Sequence, residues 1–309
     1  MLQSRFFFLL NYGMIVLMEQ ITIYIALVLS GLCLGSYAGA SVWRLRARQL
    51  VQDKVSGEVV DFDEYKRLKK LTKVSLLNDR SQCLNCSYKL KWYDMMPLFS
   101  WLSLGGKCRK CRNPIGKMEL LIELGVAMLF VLSYVFWPYP LDNVLDIVRL
   151  ILWLIAGVGL ATLFAYDAKW FLLPDSLNYK IVGIGFISSF LVILNSPDKL
   201  IAFISIVGSV LILSGIYWLI YEISRGKWIG FGDVKLGLGL ALLLADWKLA
   251  FVALFSANLF GCLIIIPPLI AGKLKRDSHI PFGPLLIAGF VFAGLAGNYF
   301  LSLYFSILL

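Results

Sequence analysis

Apolar runs follow one another along almost the whole chain, at about 21–43, 119–137, 144–166, 177–195, 199–221, 234–245, 248–271 and 282–305. A helix needs about 20 predominantly apolar residues to cross a bilayer. Within lipid the backbone must satisfy its own hydrogen bonds, which leaves only helices and closed barrels. Unbroken apolar runs of this length select helices. The expectation is an all-α integral membrane protein, a polytopic bundle of about eight helices in which 234–245 is too short to span unaided. The breaks carry turn residues: Pro138 to Pro140, Pro174-Asp175, Asn195 to Pro197, and the stretch Gly226 to Gly232. A content of 60% hydrophobic and 16% charged residues in 309 excludes a soluble globular, disordered or disulfide-scaffold chain.

One polar segment interrupts the pattern. Residues 44–117 hold seventeen Lys and Arg against seven Asp and Glu, so this segment accounts for the entire net charge of +10. In a membrane protein such a bias marks the cytoplasmic side, and it suits anionic headgroups better than nucleic acid, for which no binding is expected. Alternation then places 167–176, 222–235 and 272–281 on the same side. The expected layout is an N-terminal extension at 1–20, a first transmembrane helix at 21–43, a basic cytoplasmic loop at 44–118 and a membrane domain at 119–309. The apolar stretch at 6–18 fits a signal-type h-region, a peripheral anchor, or sequence upstream of a start at Met18.

Within the loop, Cys83-x2-Cys86 and Cys108-x2-Cys111 form two thiolate pairs separated by 21 residues. Such a set completes a tetrahedral four-sulfur site for zinc. Four thiolates leave no open coordination position, so the expected role is structural. Disulfides are the weaker reading in a reducing compartment. Lys107, Arg109, Lys110 and Arg112 are expected to offset the negative charge of the site. Cys33 and Cys262, alone in apolar runs, read as packing residues.

The chain has one histidine, His279, so hydrolytic chemistry must first be sought among carboxylates. Ionisable groups at membrane depth are costly and usually functional. Asp167 closes one apolar run, Asp175 follows Pro174 at the head of the next, and Asp233 lies in Gly230-Phe231-Gly232-Asp233-Val234-Lys235. The charge topology brings all three to one membrane face. A helix N-cap is the simpler reading of Asp175 and remains open for Asp233; Asp167 could pair with Lys169. Glu119, Glu123 and Glu222 read as interfacial or paired charges. Two aspartates held together would share one proton, so that one activates water while the other donates to a scissile carbonyl oxygen. The short run 234–245 is expected to admit water beside Asp233.

Taken in order, these segments resemble the type IV prepilin peptidases, the prepilin leader peptidase/N-methyltransferase family. The resemblance runs from about residue 18 to the end. It rests on GLCLGSYAGASVWRL at 31–45, the four-cysteine region 83–123, Asp167 with Pro174-Asp175, GFGDVKLG at 230–237, and Ile280 to Pro284. It implies an aspartic endopeptidase of GxGD type, with Asp167 and Asp233 as the catalytic pair. Asp175, Gly230, Gly232 and Lys235 would be supporting residues. It also implies a bacterial inner-membrane location with the active site at the cytoplasmic face, and type IV prepilin or pseudopilin substrates cleaved after a glycine. N-methylation of the new terminus with S-adenosylmethionine follows from the resemblance alone, since no glycine-rich nucleotide signature is present. Residues 45–82 depart from the family pattern. Two readings of another class are a non-enzymatic scaffold for pilus or secretion-system assembly and a proton-relay transporter.

Overall fold

The computed structural model describes residues 2–72, 81–273 and 280–308, and within 2–17 it defines the helical backbone alone. His279 and much of the segment 272–281 lie outside the described residues. Those described are almost wholly helical, without a β-strand apart from two isolated bridges. The helices are α1 (Leu2–Val55), α2 (Phe62–Leu68), α3 (Phe99–Ser103), α4 (Met118–Val135), α5 (Val144–Trp170), α6 (Asp175–Asn195), α7 (Lys199–Val210), α8 (Ile216–Ser224), α9 (Phe231–Leu244), α10 (Trp247–Ile270) and α11 (Gly283–Leu308). Seven segments are long and apolar enough to cross a membrane, with α7 and α8 forming one span, Lys199–Ser224, through a π-turn at Leu211–Gly215. The expected polytopic helical membrane protein is what the chain forms.

Two helices outrun their apolar stretches. α1 continues from the apolar segment through Arg44, Arg46 and Arg48 to Val55. Residues 44–52 are mostly good helix formers, and propensity sustains the helix after hydropathy ends. α5 extends to Trp170, so Asp167 lies inside its last turn rather than after its end.

α9 organises the bundle. Its 14 residues rise about 21 Å at 1.5 Å each, short of the ~30 Å hydrocarbon core. It is surrounded by protein: Leu236, Leu240, Ala241, Leu243 and Leu244 are buried among residues from α5, α6, α8, α10 and α11. A helix apolar on every side is buried on every side. Close approach requires glycine at Gly237, where a Cβ would run into the Leu213 carbonyl in the π-turn of the neighbouring span. Serines tie α9 down across the bundle: Ser189 Oγ donates to the Leu242 carbonyl at 2.6 Å, Ser209 to Ala241 at 2.9 Å and Ser214 to Val234 at 3.0 Å. Gly237→Ala should destabilise the protein by about 1–3 kcal/mol, the usual cost of overpacking, read as a lower thermal midpoint in detergent.

A second core joins α1, α4 and α5 through Ala38, Val42, Val126, Phe130 and Tyr166. Val234 and Leu236 are buried, because protein rather than lipid covers the short helix. Exposure is found at its head, at Gly230 and Phe231.

Candidate active site

Asp167 and Asp233 come from different helices. Asp167 is only 5% exposed and accepts the Gly283 N–H at 2.9 Å, across 116 positions of sequence. Gly283 opens α11, so a helix-terminal N–H, an unsatisfied donor by helix geometry, is spent on this carboxylate. A Cβ at Gly283 would lie 2.7 Å from Asp167 Oδ2, so the approach depends on glycine. Asp233 occupies the third position of α9 and reaches back to the N–H of Gly230, the N-cap. This is the carboxylate half of a capping box. Asp233 is therefore not the N-cap; Gly230 is.

The two carboxylates lie close enough to interact electrostatically. Leu173, in the short link between α5 and α6, packs against both surroundings: a Cβ on Gly232 would lie 3.0 Å from it, and one on Gly283 3.3 Å. Asn178 on α6 is fully buried and donates to the Gly232 carbonyl at 3.4 Å. Tyr217 packs its ring on Phe282 at 5.3 Å, and its buried hydroxyl, which has no partner among the described residues, feels the charge of Asp233. Leu173, Asn178, Tyr217 and Gly283 were not singled out by sequence reasoning. Only Gly283 left a trace, inside the segment Ile280 to Pro284.

Asp175 does not cap α6. Pro174 is the N-cap and Asp175 the first helical residue, with both carboxylate oxygens 2.7 Å from Lys235 Nζ. The pair links the heads of α6 and α9. Its carboxylate is exposed, and such pairs contribute about 0–1 kcal/mol. Asp175→Ala should therefore change stability by less than about 1 kcal/mol, measured by thermal unfolding beside Lys235→Ala.

The cysteine module is built from two similar knuckles. In the first, the Cys83 N–H donates to Tyr88 and the Ser87 N–H returns to Cys83. In the second, Cys108 pairs with Asn113 and Arg112 returns to Cys108. Ser87 and Arg112 both take left-handed backbone, with φ of 57° and 58°. The four sulfurs lie within 4.8 Å of one another, with Cys83–Cys111 at 3.8 Å and Cys86–Cys108 at 4.0 Å. Zn–S bonds of about 2.3 Å in a tetrahedron set sulfurs about 3.8 Å apart, so the donor set fits that ion. Burial pushes the Cys83 thiol up to about 12, while the Asn113 N–H leads in pulling Cys111 down to about 6. Arg109 pairs with an acid of the module. Its Nε binds Asp94 at 2.7 Å, and the nearly buried Asp94 would otherwise lack a counterion.

The comparisons with known proteins decide the family. Residues 29–137 match the model described as Bacterial Peptidase A24 N-terminal domain, and 151–266 match that of the Type IV leader peptidase family. A Stutzerimonas stutzeri protein named prepilin leader peptidase/N-methyltransferase is 31% identical over 86% of this chain and 88% of its own length. The chain belongs to the prepilin leader peptidase family. A family member of the same name from Pseudomonas aeruginosa is 29% identical over 85% of this chain and 87% of its own. An Escherichia coli type 4 prepilin-like proteins leader peptide-processing enzyme is 30% identical over 89% and 93%. No solved structure matches. Within the prepilin peptidase frame, Asp167, Asp175 and Asp233 fall in the segment matching the leader peptidase model, and the four cysteines in the N-terminal one.

Proposed function

We propose that the chain is a membrane-embedded aspartic endopeptidase. It removes the short basic leader of type IV prepilins or pseudopilins after a glycine, at the cytoplasmic face of the inner membrane. The observation that supports this most is the convergence of Asp167 and Asp233, from helices 66 positions apart in sequence, into one partly enclosed site. The substrate class rests on the names of the family members.

The two carboxylates act as a unit sharing a proton. The ionised member takes a proton from water, whose oxygen attacks the scissile carbonyl carbon. The protonated member donates to the carbonyl oxygen. Collapse of the tetrahedral species breaks the C–N bond, and the nitrogen leaves with a proton as the new amino terminus. The Gly283 and Gly230 N–H groups hold the carboxylates in place throughout, a positioning contribution that avoids reorganisation during reaction. A pilin's apolar helix lies in lipid with its leader in water, so the bond meets the acids at the membrane boundary.

Zinc, when bound by Cys83, Cys86, Cys108 and Cys111, holds the two knuckles together; the peptidase step does not pass through it. The same reading includes N-methylation of the new terminus, for which S-adenosylmethionine supplies an electrophilic methyl group on sulfonium. Cleavage of a reconstituted prepilin, read by mass, tests both reactions: a lost leader reports the peptidase, and an added methyl the second step. Uncut substrate would contradict the reading. Gly283→Ala should cut the cleavage rate at least tenfold while the protein still folds, because the new Cβ displaces Asp167 without removing it. A wild-type rate in that variant would dissociate the Gly283 contact from catalysis.

A further inference from the structure

Packing alone does not account for Tyr217. It sits on α8, 3% exposed, with its ring edge-on to Phe282 at 5.3 Å. Its hydroxyl is buried and has no hydrogen-bond partner among the described residues. Asn258 of α10 lies nearby, but its amide donates instead to the Leu254 carbonyl at 2.8 Å. Phenylalanine would fill the same space without the cost of taking an unpartnered hydroxyl out of water. Buried polar groups left without a partner are few in folded proteins, and each calls for a reason.

Contacts between this span and α9 fix where the ring stands. Tyr221 packs on Phe231 at 5.2 Å, Ser214 Oγ donates to the Val234 carbonyl at 3.0 Å, and the Leu213 carbonyl lies against Gly237. The two segments therefore run antiparallel. Positions 214, 217 and 221 are spaced by three and four and share one helix face. Tyr217 falls between the contacts made by 214 and 221, level with the stretch from Phe231 to Val234. Asp233 lies in that stretch, and its charge acts on the Tyr217 hydroxyl. The other carboxylate is reached through Phe282, because the next residue, Gly283, gives its N–H to Asp167 at 2.9 Å. One tyrosine thus adjoins the surroundings of both aspartates.

Each carboxylate already has a backbone donor, from Gly283 or Gly230. The tyrosine adds a third donor to the site, and no described group of the protein takes up its proton. A carbonyl attacked by water gathers negative charge on its oxygen. A donor held in place beforehand, in a site shielded from water, stabilises that charge without reorganisation.

We propose that Tyr217 is a further catalytic residue, whose hydroxyl donates a hydrogen bond to the scissile carbonyl oxygen as the tetrahedral species forms. The proposal rests on the aspartic peptidase reading above. The carboxyl pair still moves the protons, one taken from water and one given to the carbonyl oxygen. Tyr217 keeps its own, so no bond of the tyrosine is made or broken.

Tyr217→Phe tests this, since it keeps the ring on Phe282 and removes one oxygen. With the full-length protein in liposomes, kcat for prepilin cleavage should fall by about 10²-fold, the scale of losing one oxyanion donor, with KM within threefold of wild type. The thermal midpoint should equal or exceed that of wild type, because an unpartnered buried hydroxyl is gone. Tyr221→Phe, one turn along α8, should cleave within twofold of wild type. A fall in kcat of less than tenfold, a fall accompanied by a lower midpoint, or an equal fall in Tyr221→Phe would overturn the proposal. Binding provides a readout that does not depend on turnover. A junction peptide with a hydroxyethylene in place of the scissile amide should bind wild type more tightly than its oxygen-free ethylene counterpart. Tyr217→Phe should shrink that preference at least fivefold, and an unchanged preference would overturn the proposal whatever the rate. A wild type that leaves prepilin uncut would overturn the peptidase reading itself.

Discussion

Asp233→Asn should lower prepilin cleavage by at least a hundredfold, with a thermal midpoint equal to or above that of wild type. The two halves of this expectation have the same origin. Asp233 lies near a second carboxylate, and Asp167 is 5% exposed. Holding even the one charge of a proton-sharing pair in a partly desolvated site is costly, and an amide in place of one carboxylate lets the other take up a proton while keeping an oxygen for the Gly230 N–H. The catalytic pair loses its shared proton at the same time. General acid–base contributions of about 10²–10⁴ set the scale of the loss. Activity assays and unfolding in the same detergent separate the effects: a variant that is both inactive and markedly less stable would point to a structural role for Asp233.

The second large effect concerns the cysteine module. Cys86→Ser, or chelation of the wild type, should abolish bound zinc and unfold the knuckles. The segment between α1 and α4 holds few buried apolar side chains of its own, with Leu68 and Cys108 the clearest. Structural zinc sites commonly provide about 10–16 kcal/mol of apparent binding energy at neutral pH, far more than so small a core supplies. The loss should spread unevenly. The module touches the membrane helices through the Leu98 N–H on Glu123, while Asp167 faces α11 through Gly283. Cleavage should therefore fall by less than tenfold. Metal analysis, together with product masses from the same samples, checks this. Retained zinc in Cys86→Ser would remove the four-cysteine site, and a loss of cleavage beyond tenfold would show that the module supports the peptidase site as well.

The features legible in the sequence were those that chemistry makes expensive. Acids beside apolar runs stand out because lipid penalises them, and Asp167 and Asp233 stand out in the sequence on that ground. Four cysteines in two pairs carry their own geometry, and the structure brings their sulfurs within 4.8 Å. Helix ends were less legible. α1 passes Trp43 without a break because arginine and glutamine sustain a helix that a hydropathy window stops counting. Asp175 looked like a cap because acids at helix heads often are, and its bond to Lys235, 60 residues on, has no local signal.

Least legible were contacts that need the whole bundle. The Gly283 N–H meets Asp167 only when α11 packs beside the end of α5. Glu119 and Glu123 resembled interfacial charges, because one helix turn cannot show that α1 and the cysteine module close a cavity over them.

Residual rates test whether Asp167 and Asp233 work as one unit. Wild type, Asp167→Asn, Asp233→Asn and the double variant would be reconstituted in liposomes with a prepilin whose cleavage junction is intact, and products followed by mass spectrometry. Groups that act together are strongly non-additive. Either single change should remove nearly all cleavage, and the double variant should be no slower than the singles. A single variant that cleaves within tenfold of wild type, or a double variant whose loss is the product of two independent losses, would contradict it.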